Sequence, residues 1–294
     1  MIELRQCDSD ADLEAWRRVR IAVVPNERTN SVEDLRQSAS GERLLLLAYR
    51  EGELAGSGVG GRGDTASGFA IPRVLPKQRR RGIGTVLLHA LAEHVEALGF
   101  PDLGGRADDE GSFAFARRFG FEEVGRQVEQ VRATASGEPW PSVPDGIEVT
   151  TVGERPELLA RLYHELALQA FEDMPTSRKV EITLEQWESE WLNWPEATFV
   201  ALAGDEIVGM AGLLRDADCP ERTENALTTV RRDWRGRGIA RALKETTIAW
   251  ASDRGLREIY TWTQTGNENM RAVNEKLGYI ARDISISVRR KLPL

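Results

Sequence analysis

The sequence predicts a mixed α/β (α+β) protein made of two tandem halves of one design. Four landmarks recur in the same order in both halves, each half mixes hairpin-like strand pairs with a helix-period stretch, and a Pro/Gly-rich segment separates the two. The 294 residues exceed the commonest single-domain size and accommodate two domains.

The first landmark is an opening strand, Ile2-Glu3-Leu4-Arg5 in one half and Ile147-Glu148-Val149-Thr150 in the other. The second is a hairpin. Leu44 to Ala48, the turn Glu51-Gly52-Glu53 and Leu54-Ala55-Gly56 match Phe199 to Ala203, Gly204-Asp205-Glu206 and Ile207-Val208-Gly209. The third runs from Val74 into Arg79-Arg80-Arg81-Gly82-Ile83-Gly84, and from Val230 into Arg235-Gly236-Arg237-Gly238-Ile239-Ala240, and each run opens a helix. Val86, Leu87, Ala90, Leu91 and His94 are expected on one face of the first helix. Leu243, Thr247, Ala249 and Trp250 are expected on one face of the second, with Gly99 and Gly255 as stops. The fourth landmark, Phe119-Gly120-Phe121 or Leu277-Gly278-Tyr279, places its Gly 41 residues after Arg79 or 43 after Arg235. Three prolines and two glycines between Ser136 and Gly146 mark a linker over 135–146, so domains are expected at 1–134 and 147–294.

Composition excludes several classes. Hydrophobic residues at 41% and charged ones at 29% describe a globular chain, not a disordered one. No apolar run approaches the roughly 18–20 residues that span a bilayer, and the N-terminus lacks the apolar stretch of a signal peptide, so a cytoplasmic protein without membrane attachment is expected. Cys7 and Cys219 make no disulfide framework, and with His89, His94 and His164 they make no credible zinc set, so no metal is expected. A net charge of −8 argues against nucleic acid as a partner. Residues 136–294 carry −6 of it, which suits a cationic ligand but equally a solvated surface.

The two Arg/Gly turns carry the chemistry. Glycine lets the backbone bend tightly and lets a ligand approach the amides with no Cβ in the way. The first turn of the following helix leaves N–H groups without partners, and the macrodipole adds positive charge. With Arg79, Arg80, Arg81, Arg235 and Arg237 nearby, each turn makes a cradle for phosphate oxygens. Neither copy has the Gly-Lys-Ser/Thr of a Walker A loop, nor the third glycine and βαβ context of a dinucleotide fold.

On these residues both halves resemble the GNAT superfamily of N-acetyltransferases, over essentially the whole chain. The family signature Arg/Gln-x-x-Gly-x-Gly/Ala is matched by Arg79 to Gly84 and by Arg235 to Ala240, and Asn267 to Tyr279 is similar to the family's second motif. The tandem layout is similar to that of the mycothiol synthases. The resemblance implies for each half a central mixed, mostly antiparallel sheet flanked by helices. It implies acetyl-CoA as co-substrate, its pyrophosphate on Arg79, Arg80, Arg81, Gly82, Ile83 and Gly84 in one half and on Arg235, Gly236, Arg237, Gly238, Ile239 and Ala240 in the other. Val74 and, in the second half, Thr228, Thr229 and Val230 would offer strand amides to the rest of the molecule, and Asn267 would contact the pantetheine arm.

The reaction implied is direct attack of a primary amine on the thioester. The base position six residues before the strand's last Val holds Glu224 in the second half, which reads as a general base or as an exposed acid ending a loop. The first half has Gly68 there, with Asp64 as the nearest acid. Asn274 and Ala116 stand where the family has an acid tyrosine. Asn274 is expected to hydrogen-bond the sulfur region or the acceptor, or to tie down a neighbouring loop. Catalysis is therefore expected in the second half, with the first half a weak CoA binder or a scaffold. The acceptor pocket is expected between Tyr163 and Trp194, using Glu172 or Asp173 with Trp187 and Trp191, although the tryptophans also read as packing. A small-molecule amine is the expected partner. A protein amine and a non-catalytic acyl-CoA-binding scaffold are the alternatives, and a monomer (an internal pseudo-dimer) or homodimer is expected.

Overall fold

A computed structural model describes residues 1–27, 30–38, 42–63, 67–174, 182–216 and 219–294. They form two compact units, Met1–Arg126 with Ser285–Leu294, and Gln127–Ile284. In the first unit the chain runs through β1 (Ile2–Gln6), α1 (Asp10–Val23), α2 (Val32–Ser38), β2 (Arg43–Arg50), β3 (Glu53–Arg62), β4 (Gly68–Val74), α3 (Ile83–Ala97), β5 (Asp102–Ala107) and α4 (Glu110–Arg118). The bridging strand β6 is Glu122–Ala133. In the second unit it runs through β7 (Glu148–Thr151), α5 (Leu158–Leu162), a π-helical turn (Tyr163–Ala167), α6 (Leu168–Asp173), α7 (Leu184–Trp191), β8 (Thr198–Ala203), β9 (Glu206–Arg215), β10 (Arg222–Val230), α8 (Ile239–Asp253), β11 (Glu258–Gln264) and α9 (Glu268–Lys276). The last strand, β12, is Ile280–Lys291.

The hairpins form where the turn residues place them, with Gly52 at φ +84 and Gly204 at φ +60. Each unit has a mixed, mostly antiparallel sheet. In the first, β1 to β4 pair antiparallel in sequence, β4 pairs parallel with β5, and residues 286–291 of β12 pair antiparallel with β5. In the second, β7 to β10 repeat the pattern, β10 pairs parallel with β11, and residues 127–133 of β6 close the other edge of β11. Each unit thus takes its last strand from the other half of the sequence. The units part at 126/127 and 284/285, whereas the repeat places the boundary in the Pro-rich linker. Two homologous strands offer a sheet edge the same ladder of hydrogen bonds, so local sequence does not choose between them.

Helices pack on both faces of each sheet. In the first unit α3 buries Ile83, Leu87, Leu88, Leu91, Ala92 and Val95 on one face, and α1 and α2 bury Trp16, Val19 and Leu35 on the other. Val86 is exposed: the buried stripe of α3 is set one residue round from the expected face. In the second unit α8 buries all four expected residues, and the α5–α7 segment covers the opposite face with Leu162, Leu166, Phe171 and Trp187. Gly99 at φ +86 and Gly255 at φ +71 end α3 and α8 as expected. No helix among the described residues is long and apolar enough to cross a membrane.

Candidate active site

In the second unit β10 and β11 separate at their C-terminal ends. Parallel pairing covers only Arg222, Thr223 and Glu224 against Glu258, Ile259 and Tyr260. β10 stays paired with β9 as far as Val230, and between Asn225 and Thr228 it carries one extra residue, a β-bulge. The Arg231 N–H donates to the Val208 carbonyl at 2.9 Å. Antiparallel alternation then turns the Thr229 amide toward β9 and the Thr228 and Val230 amides toward the open edge. Two of the three strand amides expected from sequence therefore face the opening, and Thr229 does not.

Past Val230 the chain makes a short 3₁₀ turn over Arg232–Trp234 and bends through Gly236 (φ +77) and Gly238 (φ +83) into α8. A Cβ at either glycine would meet nothing within 4 Å, so the space above the bend is open to a ligand. The first α8 backbone bond runs from the Ala242 N–H to the Gly238 carbonyl, and no side chain caps the helix. The Ile239, Ala240 and Arg241 amides thus lack intrahelical acceptors and form an anion cradle. Arg235 braces the bend, its Nε donating to the Val230 carbonyl at 3.0 Å, while Arg237 Nη2 donates to the Asp233 carbonyl at 3.2 Å.

Glu224 closes the inner end of the opening. It is half-buried, and the Tyr260 hydroxyl donates to its Oε2 at 3.2 Å. Arg222 lies 3.9 Å from the Tyr260 ring centroid and is itself held by Glu129 and Glu258. Sequence reasoning missed Tyr260, because only the strand register brings it opposite Glu224. It also missed Lys244. This α8 residue is wholly buried, its Nζ donates to Asn225 Oδ1 at 2.7 Å, and burial pushes its ammonium down to about 7. Asn225 Nδ2 in turn donates to the Tyr279 hydroxyl at 3.2 Å, so a buried polar chain supports the start of the bulge.

A phosphate cradle at a strand–helix bend beside a splayed parallel strand pair is a shared arrangement. The model of the acetyltransferase (GNAT) family matches residues 10–121 and again 159–279. The chain belongs to the GNAT acetyltransferase family. Acetyl-CoA is the family's co-substrate, and the open glycine bend with unpartnered helix amides suits its pyrophosphate. Over 226 residues the chain is 28% identical to a mycothiol acetyltransferase of Catenulispora acidiphila, covering 72% of this chain and 69% of that one. Over 262 residues it is 25% identical to a mycothiol acetyltransferase of Geodermatophilus obscurus, covering 85% and 83%. A solved tandem GNAT protein from the clavulanic acid biosynthesis pathway shares the fold, with a TM-score of 0.78 at 17% identity over 100% of both chains. A GCN5-related N-acetyltransferase from Sphaerobacter thermophilus does so too, at TM-score 0.78 and 22% identity over 99% of this chain and 95% of that one.

The first unit of this GNAT chain keeps the bend but not the bulge or the carboxylate. Gly82 has φ +83 and ψ −8 against φ +83 and ψ −4 at Gly238, and Arg79 Nε reaches the Val74 carbonyl at 3.4 Å as Arg235 reaches Val230. Arg80 adopts φ +62 in the place of Gly236, and Arg81 donates to Gln78. Ile83 is core, and a Cβ on Gly84 would touch the Phe115 ring at 3.4 Å. β4, however, has no bulge. Its last parallel pair is Phe69 with Gly104, so Phe69 and not Gly68 is the counterpart of Glu224. The one-residue offset is the bulge that sequence spacing does not reveal. Gly68 faces α3, where a Cβ would lie 2.1 Å from Val95 Cγ1. The Leu75 N–H donates to the Ala55 carbonyl, which turns positions 72 and 74 to the open edge. Pro72 has no N–H, so Val74 alone of these two offers an amide there. Asp64 lies outside the described residues.

Other expected site residues fall differently. Asn274 is wholly buried, its Nδ2 donating to Gln130 at 2.9 Å and Thr263 at 3.3 Å, so it ties α9 to the sheet, which corrects the expected contact with sulfur or acceptor. Trp187 is wholly buried 5.8 Å from the Tyr163 ring and belongs to the core, which corrects its expected place in an acceptor pocket. Trp191 is half-buried against Phe171. Asp173 ion-pairs with Arg232 and Arg235 at the bend, so it neutralises the phosphate cradle rather than facing an acceptor. The hydrogen bond from Arg232, then Arg235, holds its carboxyl below the usual range. Asn267 is the N-cap of α9, its Oδ1 accepting from the Met270 N–H at 3.4 Å, which leaves its NH₂ for another partner. Among the described residues no group of three His, Cys, Asp or Glu is placed to hold a metal.

Proposed function

We propose that the second unit transfers acetyl from acetyl-CoA to the primary amine of a small molecule, and that the first unit holds CoA without turning it over. The observation that carries this reading is the contrast between the two openings: Glu224 with the Thr228 and Val230 amides in one, Phe69 with Pro72 in the other. The pyrophosphate lies on the Gly236–Ala240 bend in place of the Asp173 carboxylate, with Arg235 and Arg237 beside it and Asn267 toward the pantetheine arm. Glu224 takes a proton from the acceptor's ammonium, directly or through one water, and the Tyr260 hydroxyl keeps its carboxylate aimed at the opening. The amine nitrogen bonds to the thioester carbon, the open-edge amides hold the developing oxyanion, and the C–S bond breaks. The leaving group departs as a thiolate, which a thiol pKa of about 8–9 permits, and takes up through solvent the second proton that the nitrogen sheds as the amide forms. The relatives named mycothiol acetyltransferase support a small-molecule acceptor.

A screen of amines with acetyl-CoA, read by thiol release, tests this reading. Arg235→Gln with Gly238→Val removes turnover, and Arg79→Gln with Gly82→Val leaves most of it. Loss only in the second pair reverses the assignment, and stabilisation by CoA without thiol release from any amine replaces it with a binding scaffold.

A further inference from the structure

The first unit carries an arginine cluster that acetyl transfer does not use. Arg73 on β4 and Arg106 on β5 lie beyond the last parallel pair, Phe69 with Gly104, where these strands part. With Arg20 from the end of α1 they converge on Glu27. Arg20 reaches Oε2 at 3.0 Å, Arg73 the same oxygen at 3.3 Å and Arg106 Oε1 at 2.9 Å. Arg106 also donates from Nε to Ser285 Oγ at 3.1 Å and stands 3.8 Å from Asp108, to which Ser285 donates at 2.7 Å. The Arg73 side chain is only 8% exposed, over Trp16, and its Nη1 is buried with no hydrogen-bond partner among the described residues.

Charge and donors fail to balance by one. In the ion pairs among the described residues three guanidiniums face two carboxylates, a surplus of one positive charge. Burial lowers Arg73 only to about 10, so it stays charged at neutral pH. Burial alone would raise Glu27, yet Arg20, Arg106 and Arg73 hold it near 2, so it stays ionised. A buried donor left without an acceptor costs about 1–3 kcal/mol. The fold does not demand the cluster, because the same register positions in the second unit are Thr229, one before Val230, and Trp262, two after Tyr260. One planar monoanion would cancel the surplus charge and satisfy Arg73 Nη1, and a carboxylate matches the guanidinium fork.

We propose that the opening between β4 and β5 of the first unit binds the carboxylate of a small molecule through Arg73 and Arg106, with Glu27 as the resident counter-ion. Phe69 stands where the other unit has its carboxylate and Pro72 removes one of the two open-edge amides, so the ligand is held and not acylated.

Calorimetric and thermal-denaturation titrations of the whole chain with sodium acetate and sodium propionate test this, with sodium chloride at equal ionic strength as control. Saturable binding is expected for the carboxylates and none for chloride. Arg73→Met weakens it at least about tenfold, the worth of one charge-assisted hydrogen bond. Glu27→Gln, which adds a net positive charge, tightens it by a similar factor and decides the matter should Arg73→Met fail to fold. Arg79→Gln leaves binding unchanged. Absence of saturation in the wild-type protein, equal affinity in Glu27→Gln, or loss of binding in Arg79→Gln each overturns the proposal.

Discussion

Replacing Thr228 with proline copies Pro72 of the first unit into the second and deletes one N–H from the open edge of β10. That N–H takes no part in the β9 ladder, since Arg231 donates to Val208 and the alternation turns residue 228 outward. Among the described residues the buried Thr228 hydroxyl has no hydrogen-bond partner, so its removal sacrifices no bond there. The expected effect falls on the transition state. One preorganised oxyanion donor is worth about 10²–10³ in kcat, or about 2.7–4 kcal/mol. Steady-state thiol release, with acetyl-CoA and then amine varied, should show kcat reduced by that factor. KM for acetyl-CoA should change little, because the glycine bend is untouched. Thr228→Val keeps the amide and should stay near wild type. A folded Thr228→Pro protein with kcat within about threefold of wild type refutes the assignment of this amide to the acetyl carbonyl.

Glu224→Gln should lower kcat by about 10²–10⁴ with little change in Tm, and an unchanged rate would remove Glu224 from proton transfer. Lys244 is pushed down to about 7 by burial, so between that value and its ordinary 10.5 the unfolded chain binds a proton that the folded one does not. Stability should therefore rise with pH across this window, by up to about 1.4 kcal/mol per pH unit from this group, and Lys244→Met should flatten that rise in urea titrations. Glu27 has the same sign of linkage in a more acid window. Its folded value near 2 lies below the ordinary 4.5, so its contribution is full above about 4.5 and is lost as pH falls toward 2. Acid titration of Glu27→Gln should lack roughly 3 kcal/mol of that loss. Arg80→Gly should raise stability by about 0.5–1 kcal/mol by relieving the left-handed φ of +62, read as an increase in Tm.

Much of the candidate site was legible in order along the chain. The Arg-x-x-Gly-x-Gly/Ala bends and the helices they open follow from local turn chemistry, and the duplication made each copy a check on the other. Glu224 was legible as a candidate by its distance from Val230, and the structure places it at the inner end of the opening. The matching residue of the first unit was not, because a spacing rule carries no information on a bulge present in one strand and absent from its homologue. Trp187 and Asn274 are of types that serve both cores and sites, and only their burial separates the two uses.

The sequence by itself determined the duplicated plan, the hairpins, the helix stops and the two glycine bends, since each depends on residues a few positions apart. The tertiary structure alone decided which last strand joins which sheet, that Tyr260 meets Glu224, that Lys244 sits in the core against Asn225, and that three arginines converge on Glu27. These depend on strand register and on packing between segments tens to hundreds of residues apart, where several pairings satisfy the same local preferences and the burial of whole faces selects among them.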